Sequence, residues 1–169
     1  MSSSQLSIRS ETVTDTKVIR RVISTAFERT GEGDLVCTLR SAGALSLSQV
    51  AEIDNVVVGH VAVSPVTING STDPAWFGLG PIAVHPTHQR RGIGASLMVK
   101  ALRVTAAMDG QGMVVLCDPA YYARFGFQPA TDFGLAWEHG GGAAFQAVRL
   151  GAAEVPSGTV KYHAAFDAV

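Results

Sequence analysis

Charge is scarce in this sequence of 169 residues: Asp, Glu, Lys and Arg together make up 16% of it, and the formal net charge at pH 7 is −1. Charged residues average about 25% of soluble domains. A nearly neutral chain lacks the positive surface that nucleic acids or anionic membranes attract. We therefore predict neither a nucleic-acid partner nor a membrane partner. The basic segment that stands out is Gln89–Arg91.

Cysteine is also scarce, since the two in the chain, Cys37 and Cys117, lie far apart and without metal-ligand spacing. The sequence therefore predicts no disulfide framework and no metal, and a reducing compartment suits it. Residues Met1–Gln5 lack the basic start and apolar run of a secretory signal, and no stretch reads as a membrane span. We expect a cytoplasmic protein.

Long linkers, internal repeats and low-complexity tracts are missing as well. The length is that of one ordinary domain, and the hydrophobic fraction of 47% supplies a sizeable core. We therefore predict a single domain over residues 1–169.

Apolar periodicity and turn signals predict alternating strands and helices. In the first half, Thr14 or Asp15 caps a helix that Gly31 and Gly33 bring to an end. The elements expected there are strand Leu6–Arg9, the helix running to Phe27, a shorter helix Asp34–Arg40, and strands Leu45–Ile53, Val56–Val66 and Trp76–Val84. An Asp54-Asn55 turn joins the second and third of these strands, Leu45–Ile53 and Val56–Val66. Pro65 and the Asn69-Gly70 turn are expected to end the strand Val56–Val66.

The second half is predicted to contain two helices and four strands. They are a helix Gly92–Met108, strand Met113–Cys117, a helix from Asp118-Pro119 to Gly126, and strands Phe133–Trp137, Phe145–Leu150 and Thr159–His163, with Gly140–Gly142 in a mobile loop. This order is typical of a mixed α/β layer structure with a strand–helix–strand crossover at its centre. Gly78, Gly80 and Pro81 inside a strand indicate a bulge or the close approach of another molecule.

The segment from Gln89 to Gly94 joins a predicted strand to the start of a predicted helix. The first N–H groups of a helix have no internal partners, and the helix dipole adds partial positive charge, so this end suits a pyrophosphate. Gly92 and Gly94 lack a Cβ, so a phosphate can come close to the main chain. Arg90 and Arg91 add two cationic side chains.

Two other interpretations of this segment stay open from the residues alone. The glycines can serve only to make a turn, with the arginines solvated. The segment can also belong to a nucleotide-binding protein of another fold. A Walker-type loop, however, would need Gly-Lys followed by Thr or Ser, and a Rossmann loop would need a third glycine.

Three segments together resemble motifs of the GCN5-related N-acetyltransferases, the GNAT superfamily. His88–Met98 matches the Q/R-x-x-G-x-G/A segment of that family, Leu79–Pro86 looks like its fourth strand, and Tyr121–Phe127 resembles its Y-x-x-x-G-F segment. Their order and spacing agree, and the resemblance covers most of the chain. The segments that further resemble the YhbS-like branch of small bacterial acetyltransferases are Gly78–Pro81, Asp118–Tyr122 and Gly158–His163.

The resemblance implies an α/β fold of the GNAT acyl-CoA N-acyltransferase type, a mixed central sheet flanked by helices. It implies an acyltransferase in which an amine attacks the thioester of the co-substrate acetyl-CoA directly, in a ternary complex. Main-chain groups of the fourth strand would hold the pantetheine arm like an added strand, and the following amides would hold the pyrophosphate. The residues carried over are Ile82, Ala83 and Val84 for the first role, and Gln89, Arg90, Arg91, Gly92, Ile93, Gly94 and Ala95 for the second.

Tyr122 lies four residues before Gly126, at the position of the tyrosine in the family motif. The resemblance implies that its phenol protonates the departing thiolate. A tyrosine pKa of about 10 and a thiol pKa of about 8.5 make that transfer feasible without strongly favouring either direction. The alternative is a tyrosine that packs against the cofactor and only hydrogen-bonds the sulfur.

The general base is not identified by the sequence, although an alkyl amine with a pKa of about 10 must lose a proton to attack. A base acting through ordered water is one option. Cys117 offers an acyl-cysteine route instead, but no histidine adjoins it, which favours an inert thiol. The side chains considered as bases are His60, Glu52, Glu32, Asp34, His85 and Asp118, each of which also has a structural interpretation.

The acceptor is expected to be a small-molecule amine or a peptide or protein amine. The alternative function is a non-catalytic sensor module that binds acyl-CoA. It would share the phosphate site and differ at Tyr122 and at the base. The strand Thr159–His163 also makes a homodimer an expectation, because related proteins pair through sheet edges or C-terminal strands.

Overall fold

A computed structural model describes residues 3–169, which divide into two compact units. The first unit comprises residues 3–63, 80–101 and 164–169, and the second comprises residues 64–79 and 102–163. Among residues 3–169, no helix combines the length and the apolar character needed to cross a membrane. The single domain expected over residues 1–169 stays a prediction.

Residues 3–169 form nine strands and four α-helices. In chain order they are β1 Leu6–Ser10, α1 Thr16–Phe27, α2 Gly31–Ser41, β2 Leu47–Ile53, β3 Val56–Ile68, β4 Ser71–Val84, α3 Ile93–Ala107, β5 Gly112–Leu116, α4 Pro119–Tyr122, β6 Gln128–Pro129, β7 Leu135–Trp137, β8 Phe145–Arg149 and β9 Gly158–Lys161. Strands β3 and β4 and helix α3 run through both units.

The first unit places α1 and α2 on a sheet in the order β1, β2, β3 and the end of β4. β1 pairs with β2 and β2 with β3, both antiparallel, and the Asp54-Asn55 turn adopts left-handed φ values of 50° and 65°. That geometry is the one a tight hairpin needs, which confirms the predicted turn. The buried aliphatic residues that fill this unit are Ile19, Ile23, Val36, Val50, Ala62 and Ala83.

Two details of α1 and α2 differ from the predictions. Gly31 and Gly33 lie inside α2 and do not end a helix. A Cβ on Gly33 would lie 3.0 Å from Ser24 Oγ on α1, so the glycine at this position allows the two helices to approach closely. Asp15 precedes α1 as expected, but its carboxylate accepts hydrogen bonds from the Arg9 side chain and the Thr12 N–H instead of capping α1. Both features depend on contacts with other elements.

The second unit is arranged around the parallel pair β4 and β5, which α3 connects. The strand order in this unit is β3, β4, β5, β8 and β6, with β9 on the other edge of β3 and β7 beside β9. This confirms the predicted strand–helix–strand crossover. The buried core consists of Val66, Ile68, Trp76, Val114, Ala130, Leu135, Phe145, Ala147 and Val160.

Strand boundaries moved most at the turn between β3 and β4, where β4 begins at Ser71 instead of Trp76. β3 continues through Pro65 to Ile68, because Pro65 is exposed and the Asn69-Gly70 turn, with φ values of 52° and 78°, ends the strand instead. The short strand β6 at Gln128–Pro129 pairs antiparallel with β8 and was not predicted. Two residues are too short a run to give a periodic pattern.

Candidate active site

The end of β4 presents main-chain groups alternately to its two edges. The His85 N–H donates to the Val58 carbonyl of β3 at 2.7 Å, so residue 85 faces β3. Successive strand residues direct their N–H and C=O groups to opposite edges, so Val84 and Ile82 face away from β3. The described pairing of β4 with β5 ends at Gly78, so Ile82 lies beyond it.

Ala83 differs from its two neighbours in this strand. It is buried in the first unit, and its carbonyl oxygen lies on the side of Gly59 in β3. Of the three residues carried over for the pantetheine arm, Ile82 and Val84 therefore offer the outward main-chain groups, and Ala83 spaces them. The strand alternation supplies this distinction, which the motif alone does not contain.

The loop after β4 is held in place by its own side chains. Gln89 Nε2 donates to the Val84 carbonyl at 2.9 Å, and His85 Nδ1 accepts from the Thr87 N–H at 3.3 Å. The Gln89 side chain thus fixes the loop to the end of β4. Residues 85–96 include no carboxylate, so no acidic side chain of this segment offsets the charges of Arg90 and Arg91, both of which are exposed.

Helix α3 begins with unpaired amides, as helix starts do. The first bond of its ladder runs from the Ser96 N–H to the Gly92 carbonyl at 3.0 Å. The N–H groups of residues 92–95 precede that ladder and are available to a ligand. Arg90 and Gly92 both adopt left-handed φ values, 63° and 80°, which glycine tolerates and arginine adopts at a cost of about 1 kcal/mol.

A glycine in β3 allows α3 to lie close to the sheet of the first unit. A Cβ on Gly59 would come within 3.0 Å of Leu97 Cδ1 and 3.2 Å of the Ala83 carbonyl oxygen. Leu97 and Ile93 form the buried face of α3. Gly59 was not among the predicted site residues. The available signal was a glycine within a strand of valines, which often marks a close approach.

Tyr122 is the last residue of the short helix α4 in the second unit. The Asp118 carboxylate accepts from the Ala120 N–H at 3.0 Å and caps α4. The ring of Tyr122 packs edge-on against Phe125 and Phe127, with ring centroids 6.2 and 5.7 Å apart. The helix cap and the aromatic cluster therefore fix the orientation of this side chain.

The phenol of Tyr122 and the thiol of Cys117, which both follow β5 in the chain, stay protonated at neutral pH. Burial, with smaller contributions from Cys117 and Tyr121, raises the pKa of Tyr122 to about 12. Burial and the nearby Asp118 raise the pKa of Cys117 to about 11. Tyr122 can therefore donate a hydrogen bond, while the thiol form of Cys117 argues against an acyl-cysteine route.

His60 is buried in the first unit and does not reach solvent. Its Nε2 lies 2.8 Å from Ser48 Oγ, and burial, helped by the positive charge of Arg40, lowers the pKa of His60 to about 3. A neutral, enclosed imidazole that hydrogen-bonds Ser48 is a structural histidine. The structure thus removes His60 from the candidate bases.

The other candidate bases are each engaged in a structural contact. Glu52 forms an ion pair with Arg9 in which Oε1 lies 2.6 Å from the guanidinium. The remaining contacts are those of Glu32 with Arg29, Asp34 with Arg20, Asp118 with the start of α4, and His85 with the Thr87 N–H. Because these side chains are engaged in structural contacts, the alternative of a base that acts through water is favoured.

The predicted site residues fall into two groups with different chemistry. Residues Ile82–Val84 and Gln89–Ala95 lie in the first unit, where an open strand edge leads into an amide-lined helix start. Such an arrangement suits a ligand with an amide-containing arm followed by a diphosphate. Tyr122 lies in the second unit, where it offers a partly buried phenol.

Comparison with known proteins points to one family. The model of the GNAT acetyltransferase domain matches residues 45–129. The uncharacterized N-acetyltransferase YhbS of Escherichia coli strain K12 is 36% identical over 165 residues, which cover 95% of this chain and 98% of YhbS. The residues that the family model matches include β4, the glycine loop and Tyr122.

Two solved structures are similar over nearly the whole chain. A GNAT family acetyltransferase from Brucella melitensis, in complex with acetyl-CoA, has a TM-score of 0.85 and 40% identity, covering 98% of this chain and 100% of that one. YhbS from Escherichia coli, in complex with CoA, has a TM-score of 0.92 and 33% identity, covering 99% and 94%. The predicted fold is thereby confirmed. This chain belongs to the GNAT family of acetyltransferases.

Proposed function

We propose that this enzyme transfers the acetyl group of acetyl-CoA to an amine by direct attack in a ternary complex. The observation that carries the proposal is the outward edge of Ile82 and Val84 followed at once by the amide-lined start of α3. The complexes of the Brucella melitensis acetyltransferase with acetyl-CoA and of YhbS with CoA support the same donor.

The donor is held mainly by main-chain groups. The amides of the pantetheine arm pair with the outward groups of Ile82 and with the N–H of Val84, whose carbonyl already accepts from Gln89, as an added strand would. The pyrophosphate accepts from the N–H groups of residues 92–95, where the helix dipole is favourable. Arg90 and Arg91 add charge from the exposed side of the loop. Since these groups are already in place, binding orders few protein side chains.

The reaction breaks the C–S bond of the thioester and forms a C–N bond. The neutral amine attacks the carbonyl carbon, and a main-chain N–H of β4 near Ile82 stabilises the oxyanion of the tetrahedral intermediate. Collapse expels the CoA thiolate and leaves the amide. Pre-alignment of the two reactants supplies several kcal/mol of the rate acceleration.

Tyr122 donates its phenol proton toward the departing sulfur. With its pKa at about 12, the phenol remains protonated at all physiological pH values. A thiol of ordinary pKa, about 8.5, is the stronger acid, so the phenol stabilises the developing thiolate chiefly as a hydrogen-bond donor. Complete proton transfer becomes favourable only to the extent that the enclosed thiolate is itself desolvated.

The proton of the attacking amine leaves through water. His60 is enclosed, and the carboxylates considered as bases are engaged with arginines or, at Asp118, with a helix start. Deprotonation of the amine then governs the acidic limb of the pH profile. We expect the rate to rise with pH toward the amine pKa of about 10.

Thermal stability measurements test the donor site. CoA and acetyl-CoA should raise Tm, whereas ATP and NAD should not. Gly92→Asp should abolish the shift, because it places a carboxylate beside the phosphate amides. Gly43→Asp is the matched control, since Gly43 also has a positive φ, 67°, and open space around it. Stabilisation by ATP or NAD but not by CoA would overturn the assignment of the donor.

Turnover separates an enzyme from a sensor of acyl-CoA. Release of free thiol from acetyl-CoA is measured with a panel of small amines, peptide N-termini and lysine peptides. We expect acetyl-dependent release with at least one class of amine. Micromolar binding of acetyl-CoA without turnover on any of them would favour the non-catalytic sensor.

A further inference from the structure

The side chain of Gln89 is engaged within the protein. Its Nε2 donates to the main-chain carbonyl of Val84 at 2.9 Å, and Val84 is the last residue of β4. The family motif carries Gln89 over to the diphosphate, but its amide nitrogen is directed at the strand. The bond therefore joins the open edge of β4 to the loop that leads into α3, within the first unit.

The turn that this bond closes is held at both ends. Residues Pro86–His88 form a single 3-10 turn, in which the His88 N–H donates to the His85 carbonyl at 2.8 Å. His85 is itself fixed, because its N–H donates to the Val58 carbonyl of β3 at 2.7 Å. The turn therefore starts from a fixed point on the sheet, and the side chain of Gln89 bonds its end to β4.

The residue after Gln89 has a strained main chain. Arg90 adopts a φ of 63°, which is unfavourable for a residue with a Cβ, and such conformations persist where the surroundings hold them. The bond from Gln89 to β4 holds the adjoining residue in this way. Gly92 also has a positive φ, 80°, whereas Arg91 between them does not. This alternation directs successive N–H groups to one side and forms a concave site for an anion.

The same bond limits where a pantetheine arm can pair with β4. The outward main-chain groups at the end of this strand are those of Ile82 and Val84, and the carbonyl of Val84 already accepts from Gln89. An arm that lies along this edge therefore ends its pairing at the Val84 N–H. Beyond that point the donor has to pass to the loop amides, so the bond of Gln89 lies at the junction of the two binding elements.

We propose that Gln89 is a positioning residue for the donor, whose side chain holds the edge of β4 and the loop amides at the spacing that one molecule of acetyl-CoA requires. The inference rests on the proposed function, in which that edge binds the pantetheine arm and those amides bind the diphosphate. The side chain of Gln89 acts through the main chain and does not touch the donor. Two binding elements at the correct spacing act on one ligand together, so a loss of alignment weakens the whole ligand more than either half.

Calorimetry with CoA and with its diphosphate half measures this alignment. The half used is adenosine 3′-phosphate 5′-diphosphate, which carries the diphosphate and lacks the pantetheine arm. Gln89→Leu removes the N–H donor and keeps a side chain of similar bulk, so it should weaken CoA binding about fivefold to tenfold, the range for one net hydrogen bond. Binding of the diphosphate half should weaken less than about twofold, because the N–H groups at the start of α3 remain in place.

Three further variants serve as controls. Gln89→Asn, whose amide is one methylene short of the Val84 carbonyl, should behave like Gln89→Leu. Gln89→Arg keeps an N–H donor of sufficient length and should restore the wild-type ratio of the two affinities, whatever its charge adds to both. Gln111→Leu is the matched control in the second unit, since Gln111 Nε2 also donates to a main-chain carbonyl, that of Asp109, at 2.9 Å. It should lower Tm without changing either affinity.

Equal losses for CoA and for the diphosphate half would overturn the inference, because Gln89 would then act on the diphosphate alone. A Gln89→Leu protein with a lower Tm and an unchanged affinity for CoA would also overturn it, because the bond would then serve stability only. Absence of CoA binding by the wild type would instead overturn the proposed function. The failure of the inference and the failure of the proposed function are therefore distinguishable.

Discussion

The two units of this chain are built from different side chains. The first unit is connected by ion pairs, such as Arg9 with Asp15 and Glu52, and Arg40 with Glu11. The second unit contains all three tyrosines and both tryptophans of the sequence. Its rings pack edge-on, as at Tyr122 with Phe127.

This difference separates binding from chemistry. In the first unit the groups available to a ligand are main-chain amides and exposed guanidiniums, which recognise phosphates but do not exchange protons near neutral pH. In the second unit they are phenols and a thiol whose pKa values burial has raised. The comparison predicts that substitutions in the second unit change the rate, and that substitutions in the first change binding or stability.

The largest expected effect is on the rate. Tyr122→Phe removes the donor to the departing sulfur and should lower kcat at least about 100-fold, the lower range for losing one hydrogen-bond donor to charge that develops in the transition state. Its affinity for CoA should change less than about twofold, because the ring and its packing remain. Steady-state thiol release and calorimetry measure the two quantities.

Tyr121→Phe is the matched control for this substitution. Tyr121 is the adjacent phenol, and the guanidinium of Arg124 covers its ring, so it should retain most of the activity. In the wild type, kcat should show no alkaline decline below about pH 11, since the pKa of Tyr122 is about 12. Equal losses in kcat and in CoA affinity for Tyr122→Phe would indicate that the residue acts only in packing.

A smaller effect is expected on stability in acid. His60 has a pKa of about 3 in the folded protein and about 6.5 in the unfolded chain, so only the unfolded chain binds its proton between these values. Stability is therefore complete above pH 6.5 and is lost as the pH falls toward 3. Between pH 7 and pH 4 the loss from this group is about 3 kcal/mol.

The variant His60→Gln isolates that contribution. Glutamine does not titrate and can still hydrogen-bond Ser48, whose Oγ lies 2.8 Å from the imidazole in the wild type. The free energy of unfolding, from urea titrations at several pH values, should fall less steeply for the variant. Parallel curves for the two proteins would show that His60 does not titrate differently on folding.

The smallest expected effect belongs to the exposed arginines. Arg90→Ala and Arg91→Ala should each weaken CoA binding by about threefold to tenfold at low salt, because the amides of α3 provide most of the phosphate contact. The loss should shrink at high ionic strength, since exposed charges are screened. Arg103→Ala, an exposed arginine farther along α3, serves as the control and should bind normally. A loss above 100-fold at either position would contradict a site based on the main chain.

The parts of the site that the sequence could predict are local in the chain. The glycine loop, the helix start and Tyr122 are recognisable because a strand, a turn and a helix follow one another within a few residues. The predicted helices and most strands were also found near their expected bounds. Local φ preferences and apolar periodicity determine such features.

The parts that could not be predicted involve residues far apart in the sequence. The contact of Tyr162 with Gly78, and the place of Gly59 under Leu97, arise when strands and helices pack. Asp15 looked like a helix cap, but its partner is Arg9 on β1. No local pattern encodes these partners, because sheet register and helix packing select them.

The amino-acid sequence by itself determined the donor chemistry of this protein. Two glycines and two arginines between a strand and a helix predict an anion site, and the resemblance of three segments to one family narrows its ligand to an acyl-CoA. Only the tertiary structure decided which main-chain groups of β4 face outward and why His60 is not a base. The tertiary structure also decided that the ring of Tyr162 packs against Gly78, the last residue at which β4 pairs with β5. These properties depend on burial and strand alternation, which exist only once distant segments have packed together.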